Sequence, residues 1–298
     1  MIPFPDISPE IFSITLFGVT FALRWYALSY IAGFICALWV MKFYVKRETL
    51  WVDHSPPITA SQADSILTYL IIGVIVGGRL GYVLFYNLNY YLANPISILR
   101  IWDGGMAFHG GFIGVILAVM IFCRANAVPL WFTADLIAVS TPPGLLFGRV
   151  ANFINAELWG RPTDVYWGVI FPGERAQQCE GVNGLCARHP SQLYEAGLEG
   201  ILLFLILIYF ASTGKFKIRG FLTGVFAIGY GISRFIVEYF RVPDPQFFSA
   251  QNPYGFALNF GDYGLTMGQL LSLPMVLVGI ALCAGWAVRN TKKSNDIF

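Results

Sequence analysis

The stretch SILTYLIIGVIVGGRLGYVLFY, residues 65–86, decides the class of this protein. It carries a single charge, Arg79. A helix needs roughly 20 mainly apolar residues to cross the hydrocarbon of a bilayer, and this run suffices. Gly73, Gly77 and Gly81 recur every fourth residue along it, on one helical face, where small residues let a second helix approach closely. The rival reading, a phosphate-cradling loop, fits poorly because the glycines lie inside a span and not after a strand.

Working outward, similar runs lie near residues 25–45, 106–123, 131–152, 192–210, 220–240 and 265–288. Together they predict about seven spans. Composition agrees: 56% of residues are apolar and 12% charged, against about a quarter charged in soluble domains. The fold class is therefore all-α, a polytopic membrane protein. No Pro/Gly/Ser linker divides the chain, so residues 1–298 read as one membrane-embedded domain. The opening MIPFPDISPE lacks the basic region of a cleaved signal peptide, so the first span is expected to stay. A net charge of +2, with no basic cluster interleaved with aromatics, argues against nucleic acid as a partner.

Lysines set the expected orientation. Lys42, Lys46, Lys215, Lys217, Lys292 and Lys293 fall on one side of a seven-span chain, with Arg47, Arg124, Arg219 and Arg289. The positive-inside rule makes that side cytoplasmic, placing the N-terminus outside and the C-terminus inside. The segments assigned to the outside are unlike the inner loops. Residues 1–24 suit a short strand or an interfacial arm, and 87–105, rich in aromatics, a segment in the headgroup layer. Residues 153–191, the longest polar stretch, suit a small external head. In that head Cys179 and Cys186 flank a polar loop. They can bridge if it faces an oxidising compartment. Cys36, Cys123 and Cys283 sit in apolar runs, as small hydrophobes do.

The informative residues are charges in apolar surroundings: Arg79, Arg149, Arg234, Glu238 and, at a span edge, Glu157. Each costs about 2.5–3.5 kcal/mol at a helix centre. With Arg24, Tyr26, His109, Asn152 and Arg241, most of them fall near the outer ends of separate spans. Any one alone reads equally well as a snorkelling or ion-paired side chain. As one layer, arginines with an asparagine, tyrosines and a histidine suit an anionic phosphate. Arg234 and Glu238 are four apart and can pair. His54, His109 and His189 lie in different segments, and neither HExxH nor Cys/His ligand spacing occurs, so no metal or other cofactor is expected. No GxSxG elbow occurs either. The chain thus offers no evident covalent nucleophile.

GRVANFINAELWG (148–160) resembles the signature of the prolipoprotein diacylglyceryl transferase family, and FHGGFIG (108–114) and YGISRFIVEYFR (230–241) resemble two further blocks of it. LRWYALSY (23–30), GGRLGYVLFY (77–86) and HPSQLYEA (189–196) fit as well, in order along nearly the whole chain. The resemblance implies an enzyme of the bacterial inner membrane. It moves the diacylglyceryl group of phosphatidylglycerol to the thiol of the lipobox cysteine in a prolipoprotein signal peptide. A thioether forms and glycerol phosphate leaves. The nucleophile then belongs to the second substrate, which accounts for its absence here. By the same resemblance Arg149 and Arg234 hold the phosphate. Asn152, Glu157 and Gly160 continue the signature around the lipid, Tyr26 and Tyr230 bond at headgroup level, and Glu238 positions Arg234. His109 is the candidate base, since its pKa lies near neutrality. An arginine acting with the phosphate is the rival route, and a structural histidine the bland one. The competing functional class is a transporter or flippase for an anionic lipid or solute, which midplane charges would favour. A purely structural scaffold leaves the charged layer unexplained.

Overall fold

The computed structural model describes residues 1–16, 19–179, 184–243, 247–249, 251–260 and 263–295. It is a mostly helical membrane protein. Strands β1 (Ile2–Pro3), β2 (Glu10–Leu16) and β3 (Val19–Arg24) precede helix α1 (Trp25–Val45). Next come α2 (Ala60–Tyr86), the short α3 (Leu88–Ala93), α4 (Phe108–Ala125), α5 (Leu130–Ser140) and α6 (Pro142–Ile154). Strand β4 (Val169–Ile170) and α7 (Glu174–Gln177) lie in the polar stretch that follows. Then α8 (Ser191–Glu195) runs through a π-helical turn, Ala196–Leu202, into α9 (Leu203–Ser212). Helix α10 (Phe221–Val237), the hairpin of β5 (Leu258–Phe260) and β6 (Tyr263–Leu265), and α11 (Met267–Asn295) complete the described chain.

Five stretches are long and apolar enough to cross a membrane: Trp25–Val45, Ala60–Tyr86, Leu130–Ile154, Ser191–Ser212 and Met267–Gly285. The shorter apolar helices His109–Ala125 and Phe221–Val237 join them, in keeping with about seven spans. Two expectations need refinement. The run 131–152 is not one helix but α5 and α6, broken at Thr141 by Pro142 and Pro143. Proline lacks the N–H that an interior helix position donates and clashes with the preceding turn, yet suits a first turn. The chain is also not wholly α: β2 and β3 pair antiparallel, β1 pairs parallel with β4, and β5 pairs with β6. The loose alternation of residues 1–24 is thus a hairpin plus a short strand that pairs with β4.

The glycine run packs helices. A β-carbon at Gly77 would lie 2.8 Å from Cα of Gly114, and one at Gly81 2.7 Å from Cα of Gly110. Only hydrogen fits between α2 and α4. Thr59 starts α2 with a capping box: its hydroxyl accepts from Gln62 N at 3.2 Å, and Gln62 Oε1 accepts from Thr59 N at 2.9 Å. Arg79 is buried, and its guanidinium donates to carbonyls of Ser97 (2.6 Å), Ile98 (2.8 Å), Arg100 (3.0 Å) and Gly104. It fastens the arm 87–105 to α2, while Tyr90, Leu92, Ile96, Leu99 and Trp102 of that arm are exposed.

The apolar core sits toward the lysine-bearing helix ends, where Tyr44, Trp51, Phe122, Leu136, Leu207, Phe216 and Leu222 cluster. Trp51 packs on Phe216 with centroids 4.2 Å apart. Asp135 of α5 is buried there and accepts from Gly220 N, Thr223 N and Thr223 Oγ1, each at 2.7 Å. It caps α10 from a neighbouring helix, where a negative charge is favoured. The opposite ends of α6, α8 and α10 carry a different kind of cluster.

Candidate active site

Six charged side chains from three helices and one loop meet at those ends. Glu195 of α8, with no exposed side-chain surface, is their centre. Its carboxylate takes Nε of Arg149 at 3.0 Å, Nη1 of Arg234 at 2.7 Å and Nη1 of Arg241 at 2.9 Å. Glu238 pairs with Arg234 Nη2 at 2.8 Å and Arg241 Nε at 3.5 Å. Glu199, equally buried, lies 3.8 Å from Arg149 Nη2. The formal charges of Arg149, Arg234 and Arg241 balance those of Glu195, Glu199 and Glu238. Each arginine side chain keeps about a fifth of its surface exposed while Glu195 at the centre is sealed. An incoming anion therefore meets arginines first.

The signature segment wraps this cluster. Arg149 Nη1 approaches Asn152 Oδ1 at 3.5 Å, and Asn152 Nδ2 donates to Glu157 Oε1 at 2.8 Å. The turn around Glu157 is sharp: Ala156 and Leu158, on either side of it, hold left-handed φ values of 51° and 56°, a strain of about 1–3 kcal/mol each that surrounding contacts must offset. Ser191 Oγ donates to Leu158 O at 2.9 Å, and Gln192 Nε2 to Glu157 O. Gly160 N donates to His189 O at 2.9 Å. A β-carbon at Gly160 would sit 2.8 Å from that same oxygen and against Phe240 O. Gly160 thus lets the end of α10 lie on the head, where Arg161 Nε reaches Arg241 O at 2.8 Å.

Each remaining candidate has a definite place. Tyr26 and Tyr230 lie within electrostatic reach of the Arg149 guanidinium. Tyr26 also shares a 3.2 Å hydrogen bond with Tyr30 on α1. His109 is exposed at the start of α4, the helix packed on α2, whereas the ion pairs are carried by α6, α8 and the end of α10. Cys179 and Cys186 are joined by a disulfide, with Cα atoms 6.3 Å apart. Residues 180–183 between them lie outside the described residues. Beside the bridge Arg188 is buried and donates to Ala176 O at 2.6 Å and Gln178 O at 2.9 Å. Desolvation lowers the pKa of its guanidinium from the usual arginine range. Among the described residues no cluster of His, Cys, Asp or Glu has a metal-holding arrangement.

The model of the family Prolipoprotein diacylglyceryl transferase matches residues 13–285. The chain belongs to this family. It is 58% identical over 282 residues to the phosphatidylglycerol–prolipoprotein diacylglyceryl transferase of Cereibacter sphaeroides, covering 94% of this chain and 96% of the relative. The enzyme of the same name from Ruegeria pomeroyi is 57% identical over 278 residues, covering 93% and 94%. That of Rhizobium meliloti is 44% identical over 295 residues, covering 99% and 95%. The chain is thus a multi-pass membrane protein of a bacterial transferase family.

Sequence reasoning passed over two members of this site. Glu195 and Glu199 lie four apart inside the apolar run 192–210, and the rule that singled out Arg149 and Arg234 applies to them equally. Arg241 was noted in the outer layer without a role. The structure puts it on Glu195.

Proposed function

We propose that this chain transfers the diacylglyceryl group of phosphatidylglycerol to the cysteine thiol of a prolipoprotein lipobox, forming a thioether and releasing glycerol phosphate. The convergence of Arg149 and Arg234 on one buried carboxylate supports this reading most. Two guanidinium groups held on one carboxylate, each carried by a partly exposed side chain, make a fork for a phosphodiester.

Carbon–oxygen cleavage places the growing negative charge on the departing phosphate. Arg149 and Arg234 neutralise it, and such pre-organised charge is worth most where water is excluded. Glu238 holds Arg234 toward that position, and Asn152 and Glu157 hold the signature turn. Gly160 brings the backbone of the head close to the headgroup, and Tyr26 and Tyr230 bond to headgroup oxygens. A thiol of ordinary pKa near 8.5 must lose its proton. His109 is the candidate acceptor, with an arginine–phosphate route as the alternative, and His109→Gln separates them. Loss of turnover with lipid binding retained favours the histidine. The reaction needs no cofactor.

The proposed setting is the bacterial inner membrane, with the N-terminus periplasmic and the C-terminus cytoplasmic. Residues 1–298 then act as one catalytic unit, and 153–191 form its periplasmic head. The partners are phosphatidylglycerol, the surrounding lipid and lipobox signal peptides, not nucleic acid. The test is to incubate purified protein with phosphatidylglycerol and a lipobox peptide. Released glycerol phosphate, with a matching mass gain on the peptide cysteine, is the expected result. Lipid movement across vesicles without release would overturn the transferase reading in favour of a flippase.

A further inference from the structure

Glu199 has no task in the mechanism above. It lies one turn after Glu195 inside the π-helical stretch Ala196–Leu202, a distortion that recurs at functional sites. Its side chain has no exposed surface, yet neither carboxylate oxygen has a hydrogen-bond partner among the described residues. Burying an unbonded carboxylate opposes folding, so packing alone gives no reason for an acid here. Among the described residues its nearest cation is Nη2 of Arg149, at 3.8 Å, beyond hydrogen-bond range.

Arg149 is held unevenly. Its Nε forms an ion pair with Glu195 Oε2 at 3.0 Å. Its Nη1 has only a long 3.5 Å contact with Asn152 Oδ1. Its Nη2 feels Glu199 without a bond. The Nη edge is therefore the part free to turn to a phosphate, and Glu199 draws it back by charge alone.

We infer that Glu199 is a positioning residue that competes with the lipid phosphate for the Nη edge of Arg149 and takes the arginine back when glycerol phosphate leaves. This rests on the reading of Arg149 as a phosphate ligand. The charge count explains the need. Three arginines against Glu195 and Glu238 alone would leave one surplus positive charge facing an anion. Substrate would bind more tightly, but so would the more highly charged product, and binding both more tightly lowers KM without speeding the chemistry. Glu199 restores neutrality and lets the product go.

The test uses full-length protein in phosphatidylglycerol-containing nanodiscs, with free glycerol phosphate as the probe. Glu199→Gln removes the charge and keeps the shape. It is expected to tighten inhibition by glycerol phosphate about fivefold, a modest coupling between sites, and to lower KM and kcat together. Glu199→Met, similar in length and without polar atoms, should do the same. Unchanged or weaker inhibition in a folded variant overturns the inference, as does failure of both variants to fold, which would make Glu199 part of the scaffold. Arg149→Ala separates the two levels. If it turns over normally, the phosphate reading itself fails. If it is inactive while the Glu199 variants inhibit like the parent, only the role of Glu199 fails.

Discussion

Oε2 of Glu195 lies 3.0 Å from Nε of Arg149, so a sealed carboxylate on α8 aims a guanidinium carried by α6. The pair leaves the outer edge of Arg149 for another partner. Replacing Arg149 by Lys keeps the charge and loses the planar fork. Turnover is expected to fall at least tenfold, since hydrogen bonds to charged groups contribute about 1.5–3 kcal/mol. Arg149→Ala should abolish turnover in a protein that still inserts and melts cooperatively. Near-normal turnover by purified Arg149→Ala would sink the phosphate clamp.

Arg234 is expected to behave less cleanly. It bridges Glu195 and Glu238 at 2.7 and 2.8 Å, and without it Glu238 keeps only the 3.5 Å contact to Arg241. Arg234→Ala should lose activity and stability together, because a buried acid is left under-compensated. A variant with unchanged melting temperature would show that the pair does not hold the end of α10.

The α2–α4 contact predicts a purely structural effect. Gly77→Ala places a β-carbon 2.8 Å from Cα of Gly114, where backbone cannot yield cheaply. Destabilisation of about 1–3 kcal/mol is expected, read as a lower melting temperature in detergent. A variant as stable as the parent would mean that the helices separate without cost.

The head should respond to acid. Desolvation lowers the pKa of His189 from its ordinary value near 6.5, so the folded head takes up this proton less readily than the unfolded chain does. As pH falls through about 6.5 the unfolded state binds the proton first, and stability is lost until the folded histidine also titrates. Limited proteolysis around His189 should quicken as the pH falls from about 7 to about 5. His189→Gln should flatten this dependence, and an unchanged profile would assign it elsewhere.

Orientation has its own test. A reporter fused after Lys293 is expected to read as cytoplasmic, by the distribution of lysines. A periplasmic signal would invert the topology and move the arginine cluster to the other leaflet.

The membrane class, about seven spans and the layer of charge at one set of helix ends were legible in the chain itself. Apolar runs and stranded charges are local properties, with costs that depend on the solvent and not on the fold. Pro142 and Pro143 mark a helix boundary within the span 131–152, where the apolar run itself continues. Other features were not legible. Glu195 accepts from Arg241, 46 residues further along the chain and beyond the end of α10, and sequence gives no measure of such a distance in space. Arg79 reads in sequence like Arg149, a lone cation in an apolar run. Tertiary packing gives Arg79 a ring of backbone carbonyls and Arg149 a pair of buried carboxylates. The sequence alone determined that these charges needed partners, because lipid supplies none. Only the tertiary structure decided which partners they have, since these come from helices far apart along the chain.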